Sequence, residues 1–415
     1  MNIEEVEVLV VGAGQAGVAV SEHLSLGRVP HLVLERGRIA ERWRSQRWDS
    51  LVANGPAWHD RFPGLEFPDV PPDGFATKEQ VARYFEAYAA KIAAPIRCGV
   101  EVTSVEKNVG QPGFRVRTTD GAMKARFIVV ATGAFQQPVI PPVVPERDGL
   151  LQIHSSAYRN PGQLPVGSVL VVGGGSSGVQ IAAELLQSGR QVYLSVGPHD
   201  RPPRRYRERD YVWWLGVLGL WEAVTPPQGA EHVTIAVSGA NGGHTVDFRT
   251  LAARGIKLVG RTESCDGGTV RFAPDLGKNI ANGDANLLSL LDDADAYVAR
   301  SGMGLPEDPG ARVLGPDPES VTSPILELDL ARTGVTSVIW ATGFTSDYNW
   351  LHVDAFDENG KPKHQRGMSA EPGVYFLGLP WLSRRGSSFI WGVWHDAKYI
   401  ADQIVMQRGY LAYGS

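Results

Sequence analysis

The sequence predicts an α/β fold of two dinucleotide-binding, Rossmann-like domains, with the second domain inserted into the first. Three observations predict it. A buried strand, a glycine-rich turn and a helix follow one another twice, starting near residues 6 and 168. An apolar strand runs into Ala-Thr-Gly twice, at 131–133 and 341–343. Glycine is also abundant, at 48 of 415 residues, as expected where backbone turns sharply or meets a ligand closely.

The first strand–turn–helix unit carries a complete dinucleotide fingerprint. Residues 6–11 form an apolar run typical of a strand buried on both faces, GAGQAG follows, and the next strand ends at Glu35. Gly12 permits the tight turn, Gly14 lets the backbone approach a pyrophosphate, and Gly17 lets the helix pack on the strand. The helix N-terminus attracts phosphate, and Glu35 accepts hydrogen bonds from a ribose. The predicted contacts are Gly12, Gly14, Gln15, Ala16, Gly17, Glu35 and Arg36.

The second unit repeats this pattern but ends on a different residue. After the apolar run 168–172 come GGGSSG, a helix, and a strand that ends at Ser195 instead of an acid. A hydroxyl can donate to a 2′-phosphate that a carboxylate would repel, and arginines follow closely, so this unit is predicted to prefer NADP over NAD. In the alternative interpretation, these arginines form a solvated turn. The predicted contacts are Gly173, Gly175, Ser176, Ser177, Gly178, Ser195, Arg204 and Arg205.

Between the two fingerprints the sequence predicts a helix and a strand hairpin. Thr77 and Gln80 form a capping box at the start of a helix over 77–94. The pair Asp120-Gly121 predicts a hairpin turn. The predicted strands are 96–107, 113–119 and 123–130.

Two loop-rich stretches, 154–167 and 304–324, are predicted to be linkers. After the second one the chain returns to a strand that ends in Ala-Thr-Gly and to a final helix from about Ser387 to Gln407. The predicted domains are therefore a first nucleotide-binding domain of residues 1–160 and 330–415 and an inserted one of residues 161–329.

Composition excludes several classes of protein. The net charge of −5 argues against nucleic-acid binding. Cys98 and Cys265 form no CxxC motif, which excludes a disulfide framework and favours a reducing compartment. The N-terminus lacks the features of a signal peptide, so a cytoplasmic location is expected. The longest apolar run, 211–221, is too short to span a bilayer. It predicts a core helix, with a substrate tunnel or a membrane-surface patch as alternatives.

Together these motifs resemble the class B flavin-dependent monooxygenases, which include the flavin-containing monooxygenases and the plant YUCCA enzymes. The order GAGQAG, ATG, GGGSSG, ATG carries the resemblance over nearly the whole chain, apart from about 210–330. The segment 35–51 and the C-terminal sequence GLPWLSRRGSSFIWGVWHDAKYIA match as well, the latter in the form typical of bacterial members.

One family motif is only half matched. In the fingerprint FxGxxxHxxx(F/Y/W), His154 and Tyr158 fit, whereas Asp148 and Leu150 stand at the Phe and Gly positions. This departure bears on which subfamily the chain resembles, and it does not affect the two nucleotide-binding motifs.

The resemblance implies FAD at the first fingerprint and NADPH at the second. In the family, NADPH reduces the flavin and O2 then forms a C4a-(hydro)peroxyflavin. One oxygen passes to a nucleophilic N or S, is inserted beside a ketone, or drives oxidative decarboxylation of a 2-oxo acid. The expected partners are O2 and a small, apolar or aromatic substrate, without nucleic acid or a transmembrane segment, and with a homodimer as one option.

By the same resemblance, Asn54 is the predicted catalytic residue, because the matching family Asn lies beside the flavin edge. An amide there hydrogen-bonds the peroxide or NADP without supplying a proton. The alternative is a turn Asn before Gly55-Pro56. Trp43, Arg44 and Leu51 match the segment that wraps the flavin, although Trp43 also suits a core position. The other predicted cofactor contacts are His59, Val102, Ala131, Thr132, Gly133, Ala341, Thr342, Gly343 and Phe389.

Four other functions compete with a monooxygenase. A reductase that passes electrons to a disulfide is disfavoured by the lack of CxxC. An NADPH oxidase that releases H2O2, and a regulator that binds both nucleotides without turnover, stay open. GGSSG at 174–178 also matches the hydrolase motif GxSxG, with Ser176 as nucleophile, but Gly173 completes the dinucleotide pattern instead.

Overall fold

The computed structural model describes residues 4–224 and 234–413. Its helices are α1 (Gln15–Leu26), α2 (Glu41–Ser45), α3 (Lys78–Lys91), α4 (Ser176–Gln187), α5 (Tyr211–Val217), α6 (Phe248–Ala253), α7 (Leu276–Ser301), α8 (Glu319–Thr322) and α9 (Ile390–Ala412). Its strands are β1 (Glu4–Val11), β2 (His31–Glu35), β3 (Ile96–Cys98), β4 (Val102–Lys107), β5 (Phe114–Thr118), β6 (Gly121–Val130), β7 (Gln137–Pro138), β8 (Leu151–His154), β9 (Ser168–Val172), β10 (Val192–Ser195), β11 (Arg205–Tyr206), β12 (Arg209–Asp210), β13 (Lys257–Val259), β14 (Thr262–Asp266), β15 (Thr269–Phe272), β16 (Glu327–Asp329), β17 (Val335–Trp340), β18 (Phe344–Thr345), β19 (Leu351–His352), β20 (His364–Gln365), β21 (Met368–Ser369) and β22 (Val374–Phe376).

The first sheet is built around β1, whose central side chains are fully buried. β1 pairs in parallel with β2 on one side and β6 on the other, so that Leu9 lies opposite Leu32 and Ile128. β3 extends the sheet beyond β2, and β22 lies parallel to β6 on its far side. Burying a Val or Leu completely contributes about 1.5–3 kcal/mol. The prediction of a strand buried on both faces is confirmed by Val8, Leu9 and Val10, which have no exposed surface.

Local signals between the fingerprints are largely confirmed. The Thr77 hydroxyl accepts a hydrogen bond from Gln80 N at 3.2 Å, and Gln80 Oε1 accepts one from Thr77 N at 2.9 Å, which caps α3. β5 and β6 form the predicted hairpin, with Thr118 opposite Gly121. The prediction of a single strand over 96–107 is wrong in one respect. The segment divides into β3 and β4 at Gly99, whose φ of +76° breaks the extended backbone.

The second sheet has the parallel order β13-β10-β9-β17-β8. It includes β8 and β17, which lie outside the inserted domain as predicted at 161–329. The insertion is therefore longer than predicted. Both strands are short, and nothing in their own residues indicates which of the two sheets they join.

The inserted domain begins and ends at one two-stranded ribbon. Pro138 in β7 pairs with Phe344 in β18, and Gln137 pairs with Thr345. Each strand of the ribbon follows one of the two Ala-Thr-Gly turns. β19 pairs with β4 and so returns the chain to the first sheet.

The aromatic run 211–221 is a core element, as its main interpretation predicted. Trp214 has no exposed surface, and Tyr211 and Trp221 are buried as well. Trp214 Nε1 donates to Tyr206 O at 3.0 Å. Within residues 4–224 and 234–413, none of the helices has the length and apolar character that a membrane span requires.

Candidate active site

The first glycine-rich turn has the geometry of a phosphate cradle. Gly12 has a φ of +104°, and a Cβ atom there would lie 2.7 Å from Ala131 O. A Cβ atom on Gly17 would lie 1.9 Å from Gly12 O, so only glycine lets α1 pack this close. By contrast, a Cβ atom on Gly14 would meet nothing within 4 Å. The turn therefore leaves open space in front of the N-terminus of α1, where a pyrophosphate fits.

Glu35 lies at the end of β2 beside this turn. One carboxylate oxygen accepts a hydrogen bond from Ala13 N and the other from Gly37 N, each at 2.8 Å. Each oxygen has a further lone pair, which suits ribose hydroxyls. The neighbouring Arg36 is exposed and lies 3.6 Å from Glu101. Val102, another predicted contact, is buried in β4.

The segment that was predicted to wrap the flavin packs between the two domains. Trp43 contacts the cores of both. Arg44 pairs with Glu86 at 2.6 Å on α3, and Leu51 is buried. Arg47, which was missed in the sequence, lies 5.8 Å from the Trp43 ring centre. Burial lowers the pKa of Arg47 to about 10, so its guanidinium stays cationic at neutral pH and complements phosphate charge.

The second glycine-rich turn repeats the same tight geometry. A Cβ atom on Gly178 would lie 1.8 Å from Gly173 O, and one on Gly173 would lie 2.4 Å from Ala341 O. Each fingerprint thus packs against the Ala-Thr-Gly turn of its own sheet. The predicted duplication is present, but the second Ala-Thr-Gly belongs to the inserted domain.

The space in front of the second turn is filled, unlike that at Gly14. Ser176 N and Ser176 Oγ donate to Ile235 O at 2.9 and 2.8 Å. A Cβ atom on Gly175 would lie 2.9 Å from Thr234 Cγ2. Ser177 is half-buried in the same helical turn. A pyrophosphate can therefore reach the N-terminus of α4 only if Thr234 and Ile235 move aside.

Two residues predicted to select NADP already form hydrogen bonds or an ion pair with other protein groups. Ser195 is buried, where its hydroxyl donates to Gly260 O at 2.9 Å and accepts from Thr262 N at 3.1 Å. Arg204 is also buried and pairs with Asp210. That these two side chains receive a 2′-phosphate stays a prediction, and it requires them to exchange the protein partners that hold them in this structure. Arg205 is exposed on β11 and is the residue of this set that stays available.

Asn54 lies where the two domains meet. Its backbone carbonyl accepts a hydrogen bond from Arg204 Nη1 at 2.6 Å. Its side-chain Oδ1 accepts one from Gln180 Nε2 at 2.9 Å. Gln180 was missed in the sequence, because the contact joins α4 to a turn 126 residues away. No sequence signal marks such a pair.

Aromatic rings from three parts of the chain gather near this turn. His59 stacks on Trp221 at 5.2 Å and on Trp391 at 5.5 Å between ring centres. His59 Nδ1 lies 2.9 Å from Asp60 Oδ1. Phe389 contacts Trp221 edge-on at 5.1 Å. Sequence reasoning proposed His59 and Phe389 separately; Trp221, which joins them, belongs to the aromatic run.

The last helix begins three residues later than predicted. Residues Arg385–Ser388 form a 3₁₀ turn, and Phe389 has an extended backbone as the N-cap of α9. Gln15 Nε2 donates to Ser388 O at 2.8 Å. This bond brings the start of α9 to the first glycine-rich turn, as a shared cofactor site requires.

A cavity of about 560 Å³ opens beside the start of α9. The inserted domain and the first domain both contribute to its wall, which is typical of ligand sites at domain interfaces. The lining residues are Glu222, Val224, Arg366, Ser383, Arg384, His395 and Asp396.

The remaining predicted residues lie at the ribbon between the domains. Gln136 Nε2 donates to Thr132 Oγ1 at 3.0 Å and to Gly133 O at 2.8 Å. Val139 N donates to Gly343 O at 3.0 Å, and Thr342 Oγ1 bonds to Val139 O. The two Ala-Thr-Gly turns thus lie at the crossings between domains.

The first nucleotide site fits FAD, because an open cradle, a helix N-terminus and an acid at the end of β2 lie together. The second has the same backbone but a covering segment. Two features of this first site suit a bound anion. A Cβ atom on Gly14 would meet nothing within 4 Å. The Arg47 guanidinium donates to Gln46 O at 2.9 Å and lies near the rings of Trp43 and Phe135.

Comparisons with known proteins agree with this architecture. A family model described as pyridine nucleotide-disulphide oxidoreductase matches residues 9–215. The CzcO-like oxidoreductase of Geobacillus kaustophilus is 36% identical over 405 residues, covering 96% of this chain and 98% of that protein. The indole-3-pyruvate monooxygenase YUCCA1 of Oryza sativa subsp. japonica is 35% identical over 192 residues, which is 45% of this chain and 47% of that one.

Among solved structures, the flavin-containing monooxygenase from Stenotrophomonas maltophilia has the same fold. The TM-score is 0.66 at 20% identity, over 98% of this chain and 100% of the other. With the relatives and the two fingerprints, this identifies the protein: the chain belongs to the class B flavin-dependent monooxygenase family and is an oxidoreductase that uses FAD and NADPH.

Proposed function

We propose that this enzyme couples the oxidation of NADPH to the transfer of one oxygen atom from O2 to a small organic substrate. The observation that carries the proposal is the position of Asn54, which the inserted domain holds at both its backbone and its side chain. A group that must act on both FAD and NADPH belongs at such a contact between nucleotide-binding domains.

FAD, when bound, would supply the redox chemistry, namely hydride acceptance from NADPH and electron transfer to O2. In a productive turnover, NADPH, H⁺, O2 and the substrate give NADP⁺, water and the oxygenated substrate. In an unproductive turnover, NADPH, H⁺ and O2 give NADP⁺ and H2O2. The protein must therefore favour the first outcome over the second.

The proposed roles of the chain follow from its geometry. Gly14 and the start of α1 bind the FAD pyrophosphate, and Glu35 binds its ribose. Asn54 donates hydrogen bonds from Nδ2 to reduced oxygen. An amide holds such a group without giving up a proton, so H2O2 leaves slowly. The rings of Trp221 and Trp391 exclude water from this region.

The proposed substrate is small and apolar or aromatic, which the aromatic cluster around His59 supports. The wall of the cavity beside α9 also carries charged side chains, including those of Arg384 and Asp396. The type of oxygenation, a homodimer and a cytoplasmic location stay predictions.

A substrate-free assay tests the role of Asn54. Asn54→Ala is expected to release H2O2 in the presence of NADPH and O2 on the order of 10-fold faster than the unchanged enzyme, the size of effect expected from losing one hydrogen bond to a charged group. Asn349→Ala, at an exposed loop position, is the matched control. An unchanged H2O2 rate in Asn54→Ala removes this residue from the mechanism.

Labelled oxygen tests the reaction itself. Four probes are offered with ¹⁸O2 and NADPH: N,N-dimethylaniline, methyl phenyl sulfide, cyclohexanone and phenylpyruvate. Incorporation of ¹⁸O into a product supports a monooxygenase. If H2O2 equals NADPH consumed with every probe, the enzyme is an oxidase, and if NADPH is consumed without O2, it is a reductase.

The two cysteines disfavour a disulfide reductase further. Cys98 ends β3 in the first sheet, whereas Cys265 lies in β14 of the inserted domain. Burial raises the pKa of both thiols, so the thiolate form that attacks a disulfide is scarce at neutral pH.

A further inference from the structure

We propose that Gln180 is a positioning residue that sets which end of the Asn54 amide faces the reacting groups. The inference rests on the proposed role of Asn54 and extends it to a residue on another domain. Gln180 lies in α4, one turn after the second glycine-rich turn, and it is buried.

The orientation of Gln180 is set by a backbone group. Its Nε2 lies 3.3 Å from Val237 O, and a carbonyl can only accept a hydrogen bond. The end of the Gln180 side chain that faces Val237 must therefore be the amide nitrogen. Val237 belongs to the segment that covers the phosphate turn, since its N donates to Ser176 Oγ at 3.3 Å, and the next residue, Ser238, bridges to His244.

The orientation of Asn54 follows from that of Gln180. The second N–H of Gln180 Nε2 points to Asn54 at 2.9 Å, and the atom that receives it must be an acceptor, Oδ1. Arg204 holds the backbone of the same residue, so the whole turn is fixed from the inserted domain.

The opposite end of the Asn54 side chain is therefore Nδ2. In the part of the chain that the structure describes, no acceptor bonds to Nδ2, so both of its N–H groups are available to a bound group. Reduced oxygen carries negative charge and needs donors. Without Gln180, the Asn54 amide can turn over and present Oδ1, which repels that charge.

Gln180→Glu tests the proposal because it keeps the shape and reverses the hydrogen bonding. A carboxylate cannot donate to Asn54 Oδ1, but it accepts from Nδ2 and so favours the flipped amide. The expected result is a substrate-free H2O2 release rate raised at least 5-fold, with FAD content and anaerobic flavin reduction by NADPH changed less than 2-fold.

Gln187→Glu is the matched control, since it adds the same charge at an exposed position of the same helix. Gln180→Met serves as a second variant of similar length without a donor, in case the carboxylate prevents folding. It is expected to raise H2O2 release in the same direction.

A double variant separates positioning from a structural effect. If Gln180 acts through Asn54, Asn54→Ala with Gln180→Glu releases H2O2 no faster than Asn54→Ala alone. Multiplicative effects of the two changes, or a Gln180→Glu rate equal to that of Gln187→Glu, would overturn the proposal. If Asn54→Ala alone changes nothing, the proposed role of Asn54 fails; if it acts and both Gln180 variants do not, the positioning role alone fails.

Discussion

His154 Nε2 lies 2.9 Å from the carbonyl oxygen of Gly343, so the histidine of HSSAY is joined to the second Ala-Thr-Gly turn. A carbonyl needs a donor, which places the proton on Nε2 and leaves Nδ1 as an acceptor. Nδ1 indeed receives a hydrogen bond from Ser156 N at 3.1 Å. Nδ1 also lies 2.9 Å from Ser156 Oγ, so the neutral imidazole has partners at both ring nitrogens.

The contact between His154 and Gly343 predicts a loss of folding stability at acid pH. Burial lowers the pKa of His154 below its usual value of 6.5, and it lowers the pKa of His23 and His199 in the same way. The unfolded chain therefore takes up protons near pH 6.5 while the folded chain resists them, so stability is complete above that pH and falls below it.

Urea unfolding at pH 7.5 and pH 5.5 measures this effect, and the midpoint is expected to be lower at pH 5.5. His154→Gln keeps a donor near the position of Nε2 and removes the titrating ring, so the difference between the two midpoints should shrink. An undiminished difference in His154→Gln would show that other groups carry it. His352→Gln, at an exposed histidine, is the control.

The two phosphate turns predict that the same substitution weakens the binding of a different nucleotide at each turn. Gly14→Ala adds a methyl group where a Cβ meets nothing, so folding is expected to be unchanged. The methyl group would occupy the space for pyrophosphate and weaken FAD binding about 10-fold, or ~1.4 kcal/mol. The check is the dissociation constant of FAD from the apoprotein, measured by flavin fluorescence.

Gly175→Ala is the counterpart in the inserted domain. It should raise the KM for NADPH by about 10-fold while FAD content stays unchanged. Equal effects of both substitutions on both nucleotides would contradict the assignment of one nucleotide to each turn.

Arg204 and Arg205 are expected to have different roles, the first in the stability of the fold and the second in the preference for NADPH over NADH. Arg204→Met leaves buried Asp210 without its partner, which typically costs about 3–5 kcal/mol of unfolding free energy. Arg205→Met, at an exposed position, should leave stability unchanged and lower the NADPH to NADH ratio of kcat/KM. Thermal unfolding and the ratio of kcat/KM check the two parts. A ratio unaltered in Arg205→Met removes this residue from NADP recognition.

Local chemistry made much of the fold predictable. The ends of β1, α1 and β2 follow from an apolar run, three glycines and an acid, and the cap of α3 follows from Thr77 and Gln80. Each of these signals lies within a few residues of the structure that it determines. The glycines could be assigned before any contact was known, because a Cβ atom is excluded at Gly17 by a carbonyl only five residues away.

Contacts between distant parts of the chain were not predictable in the same way. Arg204 stands in a basic stretch that suggests an exposed phosphate site. In the structure it is buried, because it pairs with Asp210 and donates a hydrogen bond to the carbonyl of Asn54. Gln180 looks like an ordinary helix residue until Asn54 lies beside it. The domain boundary in the structure differs from the predicted one, because the partner of a strand depends on the whole sheet and not on the strand itself.

The ribbon between Pro138 and Phe344 also bears on how such a chain arises. Because the points of entry to and exit from the inserted domain are hydrogen-bonded neighbours, the whole of residues 139–343 starts and finishes at one place. Excision would leave a gap that a short turn can close, and replacement would strain no other connection. The inserted domain can therefore be exchanged at this ribbon as one continuous segment, while the strands of the first sheet keep their connections.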